Sequence, residues 1–436
     1  MVNANQKAPG KLKVLIIVHG HPEFSPGGGE VAAYALYQGL KESVAVQETT
    51  FLATNPKGNS GRIHLLKEGE YLWEQRVADP FSMKAENIQA TLKDFTAFLK
   101  ALAPDVIHFH HYMHVGLDAF RVARQTCPEA RILLTLHEML AICLNDGQMV
   151  KTGSMRLCLK AEDLACQQCF PSRTPEDFWL RRRFFAASFK YVDAFVTPSS
   201  FLKQRYVDWG LDREMIHVIE NGISVAQPLV MEQGSNLHLR IGFFGQVTLY
   251  KGLDILLEAL NHLPKKVAKQ LTVEIHGCNL DIQRSEFKTK IEALMAPLLK
   301  RGVLRWVGQY SRSELAGRMA GVGWIIVPSI WWENSPVVIQ EAFALGRPVI
   351  CSDIGGMAEK VHHNQDGLHF SARNPFALAD LLTRIVETPE LWSRLVEGVK
   401  FEATVDQCLK QTLVLYAQLT QAQSVKKMGR VKSKLP

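Results

Sequence analysis

The chain has 436 residues, 47% hydrophobic and 21% charged, with a formal net charge of +7. Its length exceeds what one core ordinarily supports, so two domains are expected. The composition excludes a disordered or membrane-spanning chain, and no RNA- or DNA-binding module accompanies the positive charge, which argues against a nucleic-acid partner.

The first apolar run covers 12–18 and leads into a charged, glycine-containing loop, which reads as a strand rather than a signal sequence. A cytoplasmic protein with its eight cysteines reduced is the expectation. Strand-length apolar runs alternate with helical patterns in both halves, which predicts two α/β units. Strands are expected at 12–18, 44–49, 105–109, 132–137, 194–198 and 217–220, and then at 239–244, 271–276, 305–307, 324–327 and 349–351. The polar segment 224–237 reads as the linker between them.

After the first strand comes Pro26-Gly27-Gly28-Gly29-Glu30 and a helical pattern over 31–40. Glycines at such a junction let the backbone approach a phosphate, because no Cβ obstructs it. The spacing is not Gly-x-Gly-x-x-Gly, which excludes a nicotinamide-type fingerprint. His137 ends a strand and precedes Glu138, a placement where side chains are often functional. Cys143, Cys158, Cys166 and Cys169 include one Cys-x-x-Cys, a common half of a structural zinc site. A metal there would brace the loop rather than perform chemistry; the alternative is four reduced thiols in a long insertion.

In the second half, Gly245-Gln246 closes a strand, and Lys251-Gly252 opens the next helix, where an ammonium can neutralise a diphosphate. The most informative run is 325–346: an apolar strand, a loop carrying Glu333-Asn334, then Ser335 as N-cap, Pro336 at the first helical position, Val337 with a free N–H, and Glu341 inside the helix. The positive end of that helix suits a diphosphate, with one carboxylate accepting sugar hydroxyls and the other ribose hydroxyls.

Glu333 and Glu341, with Gly346-Arg-Pro-Val and Ser352-Asp-Ile-Gly-Gly behind them, resemble the retaining glycosyltransferases of family 4 (glycosyl transferases group 1). The likeness extends to Pro198-Ser-Ser-Phe, Glu220-Asn-Gly-Ile and the capping-box pattern Ser311-Arg-Ser-Glu314, and covers most of the chain. The resemblance implies an α/β protein of GT-B fold, two Rossmann-like domains facing each other across a cleft. It implies an acceptor-side domain at 1–225, a nucleotide-sugar domain at 226–404, a helix at 405–421 returning to the first domain, and a basic flexible tail at 422–436. Transfer of a sugar from a nucleotide diphosphate sugar to an acceptor hydroxyl, with retention and without a cofactor, is the implied reaction.

By the same resemblance Glu333, His137 and Lys251 are the catalytic candidates, and Gly27, Gly28, Gln246, Asn334, Ser335, Pro336, Val337 and Glu341 the donor-binding ones. His108, His110, His111 and His114 match a family loop that is not a metal site. One departure stands out: the family commonly has Arg where this chain has Gln246, so charge neutralisation falls to Lys251 and the helix dipole. No Asp-x-Asp occurs, which points away from a bridging metal. The acceptor is expected to be a saccharide or a lipid-linked sugar in polysaccharide, lipopolysaccharide or glycolipid assembly, selected by the variable segment 50–89. Arg181-Arg182-Arg183 beside Phe184-Phe185 and the basic tail leave a peripheral membrane contact open, against a solvated helix face and frayed terminus. The competing functions are a sugar-nucleotide epimerase of the same fold and a non-catalytic sugar-nucleotide-binding subunit.

Overall fold

The structure, a computed structural model, describes residues 11–25, 27–224 and 236–432, with side chains placed through 421. Two compact units emerge: the first comprises Met1–Gly222 and Thr404–Pro436, the second Ile223–Ala403.

In the first unit eight strands form one sheet: β1 (Leu12–Val18), β2 (Val46–Thr54), β3 (Ile63–Lys67), β4 (Glu70–Trp73), then, past the small hairpin of β5 (Val77–Asp79) and β6 (Lys84–Ala85), β7 (Val106–Phe109), β8 (Arg131–Thr135), β9 (Ala194–Thr197) and β10 (Ile216–Val218). The order is β10-β9-β8-β7-β1-β2-β4-β3, parallel except for β3 against β4. Central parallel strands are covered on both faces, which is why β1 is a nearly unbroken apolar run, buried from Val14 to Val18. The helix Gly28–Glu42 lays Ala33, Leu36, Tyr37 and Leu40 on this sheet. The C-terminal helix Val405–Lys432 packs behind it: a Cβ on Gly39 would lie 3.2 Å from Leu409, and the buried Tyr416 hydroxyl meets His108 Nδ1 at 2.7 Å. Its backbone continues to Lys432, so the segment expected as a flexible tail is helical up to there, as its run of Gln, Ala, Lys and Met favours. Residues 433–436 lie outside the described residues, as does most of the linker at 225–235.

In the second unit β11 (Arg240–Gln246), β12 (Thr272–Cys278), β13 (Leu304–Trp306), β14 (Trp324–Val327), β15 (Val349–Ser352) and β16 (Gly367–Phe370) form an all-parallel sheet in the order β13-β12-β11-β14-β15-β16. The chain winds outward from β11 and then outward the other way from β14. The two therefore flank the point where the strand order reverses, which opens a crevice beyond their carboxyl ends. In the first unit β1 and β7 hold the equivalent position.

The variable segment from residue 50 does not begin with a loop: β2 runs on to Thr54, and β3 and β4 extend the sheet edge. This hairpin lacks an apolar run because β3 is half exposed, and β4 buries a charged residue, Glu70, against His21 Nε2 at 2.9 Å and the Tyr34 hydroxyl at 3.1 Å.

The triple arginine is not one surface patch. Arg181 is buried and donates to the carbonyls of Phe81 (2.8 Å), Leu140 (2.6 Å) and Ala141 (2.6 Å), with its guanidinium on the Phe185 ring. The side chain therefore fastens the loop after β8 to the helix Pro175–Phe189. Arg181→Met should cost about 2–4 kcal/mol, since two buried carbonyls and one partly buried one lose their donor, while exposed Arg183→Met should stay within about 0.5 kcal/mol. Urea unfolding of the two variants checks this; equal midpoints would contradict it.

Candidate active site

The crevice beside β11 and β14 is built by two loops that glycine locks together. Gly252 has φ +68°, and a Cβ there would lie 1.9 Å from the Pro328 carbonyl oxygen, so only glycine fits. The Ile330 N–H donates to Tyr250 O at 2.9 Å, fixing the loop after β14 against the loop after β11. Lys251 and Glu333, 82 residues apart in sequence, meet as a consequence: Nζ to Oε1 is 2.7 Å.

The same Glu333 oxygen accepts from Ser329 Oγ at 2.8 Å and Trp331 Nε1 at 2.9 Å. Burial by itself would raise the Glu333 pKa, but the Lys251 ammonium and these donors outweigh it and hold the carboxyl below its ordinary value. Glu333 is thus an anion held ready, with its main chain pinned from the other side. The Gly356 N–H donates to Glu333 O at 2.7 Å, and a Cβ on Gly356 would meet Asn334 O at 1.6 Å. The Gly355-Gly356 pair therefore has a packing reason beneath Glu333-Asn334.

The helix begins one residue later than the sequence suggested, at Val337, with Pro336 as its N-cap. Pro336 stays extended (ψ 115°) and takes the N-cap position in place of Ser335, whose hydroxyl accepts from Gln340 Nε2 at 3.0 Å. Pro336 itself makes no side-chain cap hydrogen bond, and the N-terminal end of the helix follows directly on Asn334 and Ser335. Likewise Ser311-Arg-Ser-Glu314 precedes its helix, Leu315–Ala320, with Ser311 bonded to the Glu314 carboxylate but Glu314 itself as N-cap.

Glu341 is buried one turn further, with Arg312 Nη1 3.6 Å away. Burial pushes its carboxyl up to about 7 despite Arg312. Nearby, the Phe244 ring stacks on His276 at 4.2 Å, and Tyr310 meets Phe244 edge-on. Gln246 is exposed at the end of β11, and the preceding Gly245 has φ +133° with no atom within 4 Å of where a Cβ would stand. That open glycine lets a ligand approach the backbone.

In the first unit Gly27 is the N-cap and Gly28 the first residue of the helix after β1; Pro26 lies outside the described residues. Beneath them sits Glu30, which in the sequence is only the end of the glycine run. It is buried, 3.2 Å from His19 Nε2, accepts from Ser25 Oγ at 3.2 Å, and would collide with a Cβ on Gly27 at 2.3 Å. An acid in the first turn of a helix after a glycine loop is the local signal that marks it. A Cβ on Gly29 would rest 3.4 Å from the His137 ring.

His137 Nε2 stands 3.3 Å from His110 Nδ1, and burial with His19 nearby lowers His137 to about 4, so it is neutral near pH 7. His108 is structural, held by Tyr416 and Thr135 Oγ1 at 2.7 Å. His111 Nδ1 accepts from two backbone N–H groups, which turns Nε2 toward Glu138 at 3.4 Å. The sequence reading missed Ser329, Trp331, Arg312 and Glu30 as partners of its candidates.

Residues 238–400 match the family described as Glycosyl transferases group 1, and residues 26–227 match Glycosyltransferase Family 4. A D-inositol 3-phosphate glycosyltransferase of Xylanimonas cellulosilytica is 27% identical over 229 residues, 49% of this chain and 53% of that protein. A glycogen synthase of Mycobacterium tuberculosis is 25% identical over 219 residues, 49% and 50% of the two chains. The chain thus spans about half the length of the curated relatives it matches. Among solved structures, sucrose-phosphate synthase from Thermosynechococcus elongatus superposes with a TM-score of 0.68 at 18% identity, over 94% of this chain and 100% of that one. Anabaena HepE in complex with UDP superposes with a TM-score of 0.66 at 15% identity, over 93% and 100%. Both likenesses concern the fold, and they extend over the parallel sheets that the two family matches divide between them. By its fold and both matches, the chain belongs to the GT-B glycosyltransferases of family 4.

Proposed function

We propose that this chain is a retaining glycosyltransferase that moves a sugar from a nucleotide diphosphate sugar to an acceptor hydroxyl, in the assembly of a polysaccharide, lipopolysaccharide or glycolipid. The observation that carries this reading is the Lys251–Glu333 pair at 2.7 Å, set where the strand order reverses and close in sequence to a helix N-terminus. A cation and the positive end of a helix together suit a diphosphate leaving group, and a desolvated, already ionised carboxylate suits sugar hydroxyls. The HepE structures with UDP and with UDP-glucose, in a protein of like fold, support a nucleotide sugar as the ligand class.

In this reading Lys251 leaves Glu333 for the diphosphate as the donor binds and stabilises the charge that develops on phosphate when the glycosidic bond breaks. The Val337 end of the helix and the backbone at Gly245 cradle the phosphates, Glu341 accepts from the ribose, and the stack of Phe244 and His276 backs the base. Glu333, released from Lys251, receives sugar hydroxyls. In the first unit His137, neutral near pH 7 and 3.3 Å from His110, has a ring nitrogen able to hydrogen-bond a hydroxyl group. Positive charge comes from protein groups alone, so EDTA is expected to leave turnover unchanged. The exposed Trp179, Leu180 and Arg183 on the helix Pro175–Phe189 would serve a peripheral contact with a membrane carrying a lipid-linked acceptor.

The test is nucleoside diphosphate release from a panel of nucleotide sugars, with the anomeric configuration of the product read by NMR. Release from one donor with retention supports the proposal, and inversion would overturn the mechanism. Gln246, which brings no charge to the crevice, makes a non-catalytic binding subunit the second reading; donor binding without release under any acceptor would favour it.

Glu341 gives a pH dependence. With its carboxyl raised to about 7, the ligand-free protein carries this group protonated below neutrality, and a ribose hydroxyl is better accepted by the anion. Nucleoside affinity is expected to fall as pH drops from 8 to about 6, and Glu341→Gln should flatten that profile. The stability contribution runs the opposite way. A folded-state pKa above the unfolded value stabilises the protein below about 4.5, and that term is lost as pH rises through about 7. Calorimetric titration with a nucleoside, which lacks titrating phosphate, checks the first claim.

A further inference from the structure

The insertion between β8 and the helix Pro175–Phe189 has almost no regular structure of its own. Asp146, Met149 and Met155 all take positive φ (47°, 49° and 55°), a conformation that costs about 1–3 kcal/mol apiece outside glycine and persists where surroundings enforce it. Apart from the short helix Asp163–Cys169, the segment is a chain of turns: Cys143 N–H to Met139 O at 2.8 Å, Gly147 N–H to Cys143 O at 3.1 Å. Something beyond backbone hydrogen bonds is needed to hold it.

Hydrogen bonds tie together the segments that carry its four cysteines. A bridge between Val150 and Leu157 folds the middle of the insertion into a small hairpin, and the Cys158 N–H donates to Met149 O at 2.7 Å. Two adjacent residues of the hairpin tie it to the helix: Lys151 Nζ reaches Ala165 O at 3.4 Å and Thr152 Oγ1 reaches Cys169 O at 3.0 Å. Cys166 and Cys169 stand three residues apart on that helix, hence on one face. All four are partly buried and none is in a disulfide.

We propose that Cys143, Cys158, Cys166 and Cys169 form a tetrathiolate zinc site that braces this insertion. Four sulfur donors on a half-buried loop match tetrahedral Zn²⁺ better than an oxygen-seeking cation. Each thiol gives its proton to solvent as its S–Zn bond forms. The resulting net negative charge lies beside the Lys151 ammonium, which reaches the cysteine-bearing helix at Ala165 O. Among the described residues no three His, Cys, Asp or Glu side chains are already gathered about a metal position. Final closure of the thiols and metal capture are therefore one event, as in other folding-coupled zinc sites.

The site is independent of the transfer chemistry, and so is its test. The full chain, purified from zinc-supplemented cells without chelator, is analysed for metal by mass spectrometry and for zinc released by a mercurial thiol reagent. About one zinc per chain is expected, released stoichiometrically with thiol modification. Cys166→Ser/Cys169→Ser should fall below about a tenth of that and melt at a lower temperature, whereas Cys278→Ser should keep its zinc. Should the double variant fail to fold, the release experiment on wild type alone decides. Zinc below about a tenth of an equivalent in wild type, with all four thiols reacting in the native protein, would overturn the proposal, as would a native disulfide among them.

Discussion

Glu333→Gln is expected to lower turnover by ~100-fold or more while leaving nucleoside diphosphate affinity unchanged or tighter. The split follows from what Glu333 touches. Its Oε1 accepts from Lys251, Ser329 and Trp331 at 2.7, 2.8 and 2.9 Å, so in the ligand-free protein the carboxylate occupies the cation that the diphosphate needs. An amide oxygen at the same place still satisfies the Ser329 and Trp331 donors, which keeps the loop folded. It no longer holds Lys251 by charge, so the diphosphate meets less competition, while the sugar loses an ionised acceptor. Lys251→Ala removes the cation itself and should weaken diphosphate binding by roughly 10-fold or more along with turnover, the size of one charge-assisted hydrogen bond. Calorimetry with the nucleoside diphosphate, beside kcat and KM for the transfer, separates the two. Full turnover in Glu333→Gln with lost nucleotide affinity would mean the pair is a structural fastening.

The residues of this pair were legible one at a time, and their meeting was not. Glu333 and Glu341 could be read because a local pattern, strand then loop then Pro-started helix, sits entirely within one stretch of chain. Lys251 could be read for the same reason. That Lys251 donates to Glu333 depends on β11 and β14 being neighbours, and strand order is a property of the whole sheet that no window of sequence carries.

Where local signals competed, the sequence reading erred by small amounts. Ser335 and Pro336 satisfied the rule for N-cap and first helical residue equally well as the rule for two residues before a helix, and the extended ψ of Pro336 decided for the second. The edge hairpin of β3 and β4 escaped because β3 is half exposed and β4 buries the charged Glu70 beside Trp73, a burial that contacts with His21, Tyr34 and Lys67 make tolerable. Arg181 was hidden among three arginines; the helix turns one of them inward and two outward, and composition cannot say which.

The sharpest contrast between glycines in the candidate site lies in the second unit, at Gly252 and Gly245. Both adopt positive φ, +68° and +133°, so alanine at either is strained by about 1–3 kcal/mol. Gly252→Ala carries a second penalty, because its Cβ would lie 1.9 Å from Pro328 O, a backbone atom that cannot rotate aside. The two loops must separate, and the expected loss is about 3–5 kcal/mol, enough to disturb the Lys251–Glu333 contact as well. Around Gly245 nothing lies within 4 Å, so alanine there meets no protein atom. Gly245→Ala is expected to fold with only the strain cost yet to bind nucleotide at least about 10-fold more weakly, because its methyl stands where the ligand approaches. Urea unfolding followed by nucleotide titration distinguishes the pair. If Gly245→Ala bound nucleotide as wild type does, the phosphates would have to lie elsewhere along the crevice, and the assignment of the β11 loop as their cradle would fail.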